Sequence, residues 1–236
     1  MSGRRIKKFY VRVEVAEADG VHVVRLDGRE AQTPAKAALA APSRALALAI
    51  AEEWEGKDGA VDFDAMMLTR LASTAIDLGP SQQGRWAEDI LTYLKSDLLS
   101  YRADEPAALM ERQRATWSPF TAWLKGALGE ELRVTAGVVA VEQAPALIEA
   151  ARARLAAMDV WRLIAVKTAA ELTGSAVLAL ALEARAFPPT DIFAASRLDE
   201  RFQGERWGVD EEAAAREARL EADFIKTARW LALLDA

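Results

Sequence analysis

"VRVEVAEADGVHVVRLDG", residues 11–28, decides how the first part of the chain is read. Val11, Val13 and Val15 alternate with Arg12 and Glu14. That period of two belongs to a strand with one buried face. Asp19-Gly20 is a turn signal, "VHVVRL" repeats the strand composition, and Asp27-Gly28 turns the chain again. A short polar strand over 29–33 and one more near 38–41, past Pro34, extend an antiparallel meander. Then the period changes. Pro42-Ser43 opens a helix in which Leu46, Ile50 and Trp54 recur every fourth residue, with Gly56 and Gly59 bracketing its end. A sheet with an apolar face must cover it, and this helix is placed to do so.

Outward from there the pattern is helical. From Ala65 on, Leu68, Leu71, Ala72, Ala75 and Ile76 form one stripe. Gly79-Pro80 is expected to break it, with Ser81 capping a next helix that turns Trp86, Ile90 and Tyr93 inward. Pro106 opens an amphipathic stretch carrying Leu109, Gln113, Trp117 and Leu124, and Pro119 inside it predicts a kink or a break. "LRVTAGVVAV" (132–141) is a strand-like interruption. Pro145 starts a helix to about Met158. The stretch 159–183 reads as one helix, apolar all round in its second half and therefore central, with Gly174 and Ser175 permitting close approach of a neighbour. Pro188-Pro189 stops it, Thr190 is a candidate cap for a helix to about Phe202, and a last helix runs over about 210–234. The fold class is α+β: a small N-terminal antiparallel sheet with a covering helix (1–64), then a larger all-helical domain (65–236).

Composition narrows the function. Of 236 residues, 52% are apolar and 28% charged, which is a folded chain rather than a disordered one. The net charge of −6 lacks the basic footprint of a nucleic-acid binder. There is no cysteine, which excludes disulfides, thiol nucleophiles and cysteine zinc sites. The basic start "MSGRRIKKFY" runs straight into strand pattern with no apolar signal core, and the longest apolar run, "SAVLALAL" (175–182), is too short to span a bilayer. His22 is the single histidine and reads as a strand residue, so no histidine metal site forms. "EGKDG" (55–59) lacks the glycine spacing of a phosphate-binding loop, and no nucleophile elbow or dinucleotide fingerprint appears.

Carboxylates are what remain. "SRLDERFQGERWGVDEE" (196–212) holds Asp199 and Glu200 near the expected end of a helix, Glu205 in the following turn, and Asp210, Glu211 and Glu212 at the start of the last helix. The last three complement free backbone N–H groups in a first turn and need no function. Arg197 and Arg201 are placed to pair with Asp199 and Glu200. Trp207 reads as a packing residue at the corner, like the six other tryptophans on apolar helix stripes, and Gly208 as a turn residue. A hydrolase using facing carboxylates at Glu200 and Glu205 is the enzymatic alternative.

Seven segments, in order, carry a family resemblance: "VRLDGREAQTPAKAAL" (24–39), "AIAEEWE" (49–55), "LTRLASTAID" (68–77), "SDLLSYRA" (96–103), "ERQRATWSPFTAW" (111–123), "LTGSAVLALAL" (172–182) and "SRLDERFQGERWG" (196–208). Together they resemble the ATP12 chaperones, assembly factors of the F1 part of ATP synthase. The resemblance spans nearly the whole chain. It implies a non-enzymatic chaperone that binds the F1-ATPase α subunit before it pairs with β, with no cofactor. It also implies a small α/β domain followed by a helical one. Lacking a transit peptide, the chain looks like a bacterial, cytoplasmic member that works as a monomer, with no membrane insertion. Gly204 departs from the bulkier residue usual in the last motif. The motif positions carried over are Glu200, Gln203, Trp207 and Gly208, as the brace of the last two helices or the edge of a client-binding face.

Overall fold

The computed structural model describes residues 5–56, 60–137 and 139–236. Two compact units emerge from the packing. One comprises Met1–Gln83, Val160–Ala165 and Arg229–Ala236, the other Gly84–Asp159 and Val166–Ala228.

The first unit opens with β1 (Arg5–Lys7), β2 (Val13–Ala18), β3 (Val21–Leu26), β4 (Arg29–Glu30), β5 (Ala40–Ala41), α1 (Arg44–Glu55) and β6 (Ala60–Asp62). β2 and β3 are antiparallel from Val13 opposite Leu26 to Ala18 opposite Val21. The other edge of β3 takes β4 at one end and β5 at the other, while β6 pairs with β1. Both Asp-Gly turns have positive φ at each central residue. That is the type I′ turn, whose twist matches the flanking strands. Val11 falls outside β2 and is exposed. The ladder of 29–33 shortens to β4 plus an isolated Gln32–Ala38 bridge. α1 lies on β2 and β3 and buries Leu46, Ala47, Ile50 and Trp54, as its period predicts. Gly59 lies outside the described residues.

The chain continues as α2 (Met67–Lys95), a 3-10 turn (Leu98–Ser100), β7 (Tyr101–Arg102), α3 (Ala107–Leu128), β8 (Thr135–Ala136), α4 (Pro145–Ala156), α5 (Val160–Thr173), α6 (Ala176–Glu183), α7 (Pro189–Ser196), α8 (Leu198–Trp207) and α9 (Glu211–Leu234). The small sheet followed by helices makes the fold α+β. Within the second unit every residue of α6 from Ala176 to Leu182 is buried. Trp117, Phe120 and Leu124 of α3 are buried too, and α3 and α6 pack together. Phe193 of α7 lies 5.7 Å, centre to centre, from Phe224 of α9.

Four sequence expectations need correction. Gly79-Pro80 does not break the helix, and Ser81 caps nothing: α2 runs through both. An interior proline costs about 3 kcal/mol. Burying Leu68, Leu71, Ile90, Leu91 and Leu94 on the same helix returns roughly 1.5–3 kcal/mol for each side chain, so packing wins. Pro119 sits inside a continuous α3, so of the kink or break expected there the break does not occur. Second, residues 159–183 form two helices. Gly174 has φ 71, and Ser175 caps α6 by accepting the Leu178 N–H at 3.1 Å. A Cβ at Gly174 would meet nothing within 4 Å, so this glycine serves the turn and not a close approach. Third, Thr190 does not cap a helix to Phe202. Pro188 precedes α7 with no side-chain cap, and the backbone at Arg197 separates α7 from α8. Fourth, 132–141 contributes only Thr135–Ala136, parallel to β7; Val138 lies outside the described residues. Tyr93 and Leu109 are half-buried, and Leu91 and Leu94 supply the inward face instead.

Close approach does occur at Gly79, where a Cβ would sit 3.1 Å from the Cβ of Val160. Gly79→Leu is therefore expected to lose about 1–3 kcal/mol in urea unfolding. Gly84→Ala, where a Cβ would meet nothing within 4 Å, is expected to gain about 0.5–1 kcal/mol.

Candidate functional site

Polar side chains from distant segments meet in pairs and set the frame of the site. Glu53 of α1 accepts the Leu68 and Thr69 N–H groups at 3.0 and 2.8 Å, closing the open end of α2. Asp77 accepts the Thr33 hydroxyl at 2.6 Å and the Ala35 N–H at 3.0 Å. Asp97 is fully buried and accepts three groups: the Ser175 hydroxyl at 2.7 Å, the Val177 N–H at 3.0 Å and the Leu99 N–H at 3.0 Å. Burial raises its carboxyl to about 6 against the lowering pull of these hydrogen bonds. One carboxylate thus holds the 3-10 turn and the start of α6 together.

A fourth pairing fixes α8. The Gln113 amide donates to Asp199 at 2.8 Å, and its oxygen accepts the Ala103 N–H at 2.7 Å. Arg102 donates to the carbonyl oxygens of Leu99 and Gln113, both at 3.0 Å, and stacks over Trp117 at 4.9 Å. Burial lowers the pKa of that guanidinium, and the Asp199 charge opposes the shift. Trp117 donates its indole N–H to the Ala195 carbonyl at 2.8 Å. Phe202 is the buried residue of α8, with the Arg112 and Arg206 guanidinium groups 5.1 and 4.6 Å from its ring centre. Arg112 also reaches Glu205 at 2.7 Å, an exposed pair that adds little. Gln113→Ala strands Asp199 and the Ala103 N–H and is expected to cost about 1–3 kcal/mol. Faster hydrogen exchange across α8 would report the same loss.

Asp199 and Glu200 stand in the first turn of α8, not at its C-terminal end, and Glu205 is inside the helix. Their charges therefore favour the helix N-terminus. Asp199 is the brace; Glu200 is exposed and, among the described residues, pairs with Arg197 of its own turn at 3.2 Å. Glu200, Gln203 and Trp207 recur at i, i+3 and i+7 and share the outward face. Trp207 is 77% exposed, so it does not pack at the corner as its identity led one to expect. Gly208 ends α8 with φ 86. Val209, 62% exposed, follows it. A Cβ on Gly204 would lie 2.5 Å from Val209 Cγ2, so the glycine makes room for the returning chain. Asp210 then caps α9, accepting the Glu212 and Ala213 N–H groups at 2.7 and 2.9 Å. From 205 to 216 every residue is exposed. The α8–α9 corner is thus an open tip with Trp207 and Val209 upon it.

The arrangement holds no facing carboxylates. Glu200 and Glu205 are five residues apart, roughly 140° around a helix of 3.6 residues per turn, and each faces a different arginine. Among the described residues no group of three His, Asp or Glu is placed to hold a metal ion. Sequence reasoning missed Gln113 as the partner of Asp199; a glutamine on an apolar stripe was the available signal. It also missed a groove of about 860 Å³ along α3, lined on the helix by Ala107, Met110 and Ala122 and opposite by Leu132 and Val134.

Comparison with known proteins agrees with the ordered segments. Residues 7–125 match the family described as ATP12 chaperone protein. The mitochondrial protein atp12 of Schizosaccharomyces pombe is 23% identical over 219 residues, covering 88% of this chain and 75% of that one. The crystal structure of Atp12 from Paracoccus denitrificans is 39% identical, covers 97% of this chain and 98% of its own, and superposes with a TM-score of 0.91. A solved protein from Agrobacterium tumefaciens is 38% identical over 98% of this chain and 87% of its own, with a TM-score of 0.92.

Proposed function

The chain belongs to the ATP12 chaperone family, and from that premise we propose that it acts in ATP synthase assembly by binding the unassembled F1-ATPase α subunit and shielding it until β arrives. The observation that carries the reading to a surface is the exposed tip of α8. Glu200 and Gln203 lie on the face that ends in Trp207, and Val209 follows. An unassembled subunit exposes apolar interface and aggregates through it. A holdase has to cover that surface and still release it. A small apolar anchor set among charges fits that task, because tryptophan supplies contact energy and the charged surround sets specificity and rate.

Family membership supports a non-enzymatic role, and the Glu200–Glu205 placement speaks against a hydrolase built on that pair. No helix among the described residues is long and apolar enough to cross a membrane. We place the protein in the bacterial cytoplasm as a monomer bound to one client. Co-expression tests the client: α is expected to copurify with the tagged chain. Failure to retain α, together with normal F1 assembly in a deletion strain, would contradict it.

A further inference from the structure

The groove in the second unit runs along one face of α3. Ala107, Met110, Ala122 and Lys125 line it on the helix, with Leu132 and Val134 on the extended segment opposite. From Ala107 to Lys125 is 18 residues, about 27 Å of helix. That length takes about eight residues of extended chain at roughly 3.3 Å each. Met110 and Val134 are 42% and 51% exposed, so apolar side chains face open space there.

Four of the five lining charges pair with one another, and the fifth, Arg102, is held by the Leu99 and Gln113 carbonyls. Glu111 pairs with Arg114 at 2.7 Å, and Lys125 with Glu131 at 2.5 Å. A charged occupant would gain little from such a rim and would lose hydration against the apolar floor. Gln113 also lines the groove while its amide holds Asp199 of α8, so the groove adjoins the helix that carries Trp207.

We infer that this groove receives an uncharged, apolar, extended segment of the protein client, resting on the client reading above. Methionine suits a site that must accept such a segment without a single fixed shape. The groove holds one stretch of the client while the α8 tip contacts another. Two adjoining modest contacts give a grip that can be lost stepwise when the next subunit arrives.

The test has two arms. In the first, a photo-crosslinking residue replaces Met110 or Val134 in the full chain co-expressed with α. The expected crosslink falls in an uncharged apolar stretch of α, and Val134→Asp lowers α retention at least tenfold with an unchanged melting temperature. In the second, eight-residue peptides tiling the α sequence are titrated onto the purified chain. The uncharged apolar ones are expected to bind, and Val134→Asp to weaken them tenfold.

Full retention of α by both Met110→Asp and Val134→Asp, with no crosslink, overturns the groove and leaves the client reading standing. A bound small molecule in native mass spectrometry, lost in both variants, overturns it in favour of a non-protein ligand. Peptide binding without α retention keeps the groove and sinks the client. Neither binding nor retention sinks both.

Discussion

Asp97→Ala is expected to cost the fold about 3–5 kcal/mol in urea unfolding. Its carboxylate is the shared acceptor for the Ser175 hydroxyl and for two backbone N–H groups that start the 3-10 turn and α6. Removing it leaves those donors buried without a partner, each costing about 1–3 kcal/mol, and cuts a buried network whose breakage falls in the same range. Asp97→Asn keeps the volume but turns one acceptor into a donor facing another donor, so it too destabilises.

The same residue gives stability a pH slope. Its carboxyl titrates near 6 in the fold against an ordinary 3.8. The folded state therefore binds the proton more tightly than the unfolded chain does. That contribution is fully present below pH 3.8 and is lost as pH rises through 6. At 1.36 kcal/mol per pH unit it amounts to about 3 kcal/mol. The stability difference between wild type and Asp97→Asn should move by about that amount in favour of the variant between pH 3.5 and 7. Other carboxylates cancel in the difference.

Trp207→Ala is expected to do the reverse: no change in unfolding free energy beyond about 0.5 kcal/mol, and a loss of about 2 kcal/mol in client affinity, near thirtyfold in Kd. Its side chain is open to solvent and contributes no packing to α8, whose buried anchor is Phe202. Phe202→Ala separates the two roles. It should lower both stability and affinity, because it frees the helix that presents Trp207. Titration calorimetry beside urea unfolding distinguishes the pair.

The sequence was most legible where local chemistry decides the backbone. The Asp19-Gly20 and Asp27-Gly28 turns fix the hairpins, and the period of α1 fixes its buried face. It was least legible where a distant residue decides. Pro80 reads as a break until the leucines on either side of it are seen to be buried. Gly174-Ser175 reads as a place where a neighbouring helix comes close, since nothing nearby reveals that Asp97 stands ready to hold a new helix start. Asp199 looks like one of several helix-end acids, and its partner Gln113 is 86 residues away. Trp207 carries no mark that separates it from Trp117, which is buried. Composition assigns both to the core, and only the course of α8 and α9 puts one of them at an open tip. Four pairs of the ordered segments meet in space: Thr33 with Asp77, Glu53 with Thr69, Asp97 with Ser175, and Gln113 with Asp199.

The most direct measurement of the central claim is light scattering from isolated F1 α subunit warmed with and without the purified chain. The wild-type protein is expected to suppress α aggregation at about one equivalent, and Trp207→Ala to require a large excess. Aggregation of α at the same rate with and without the wild-type chain would contradict the account.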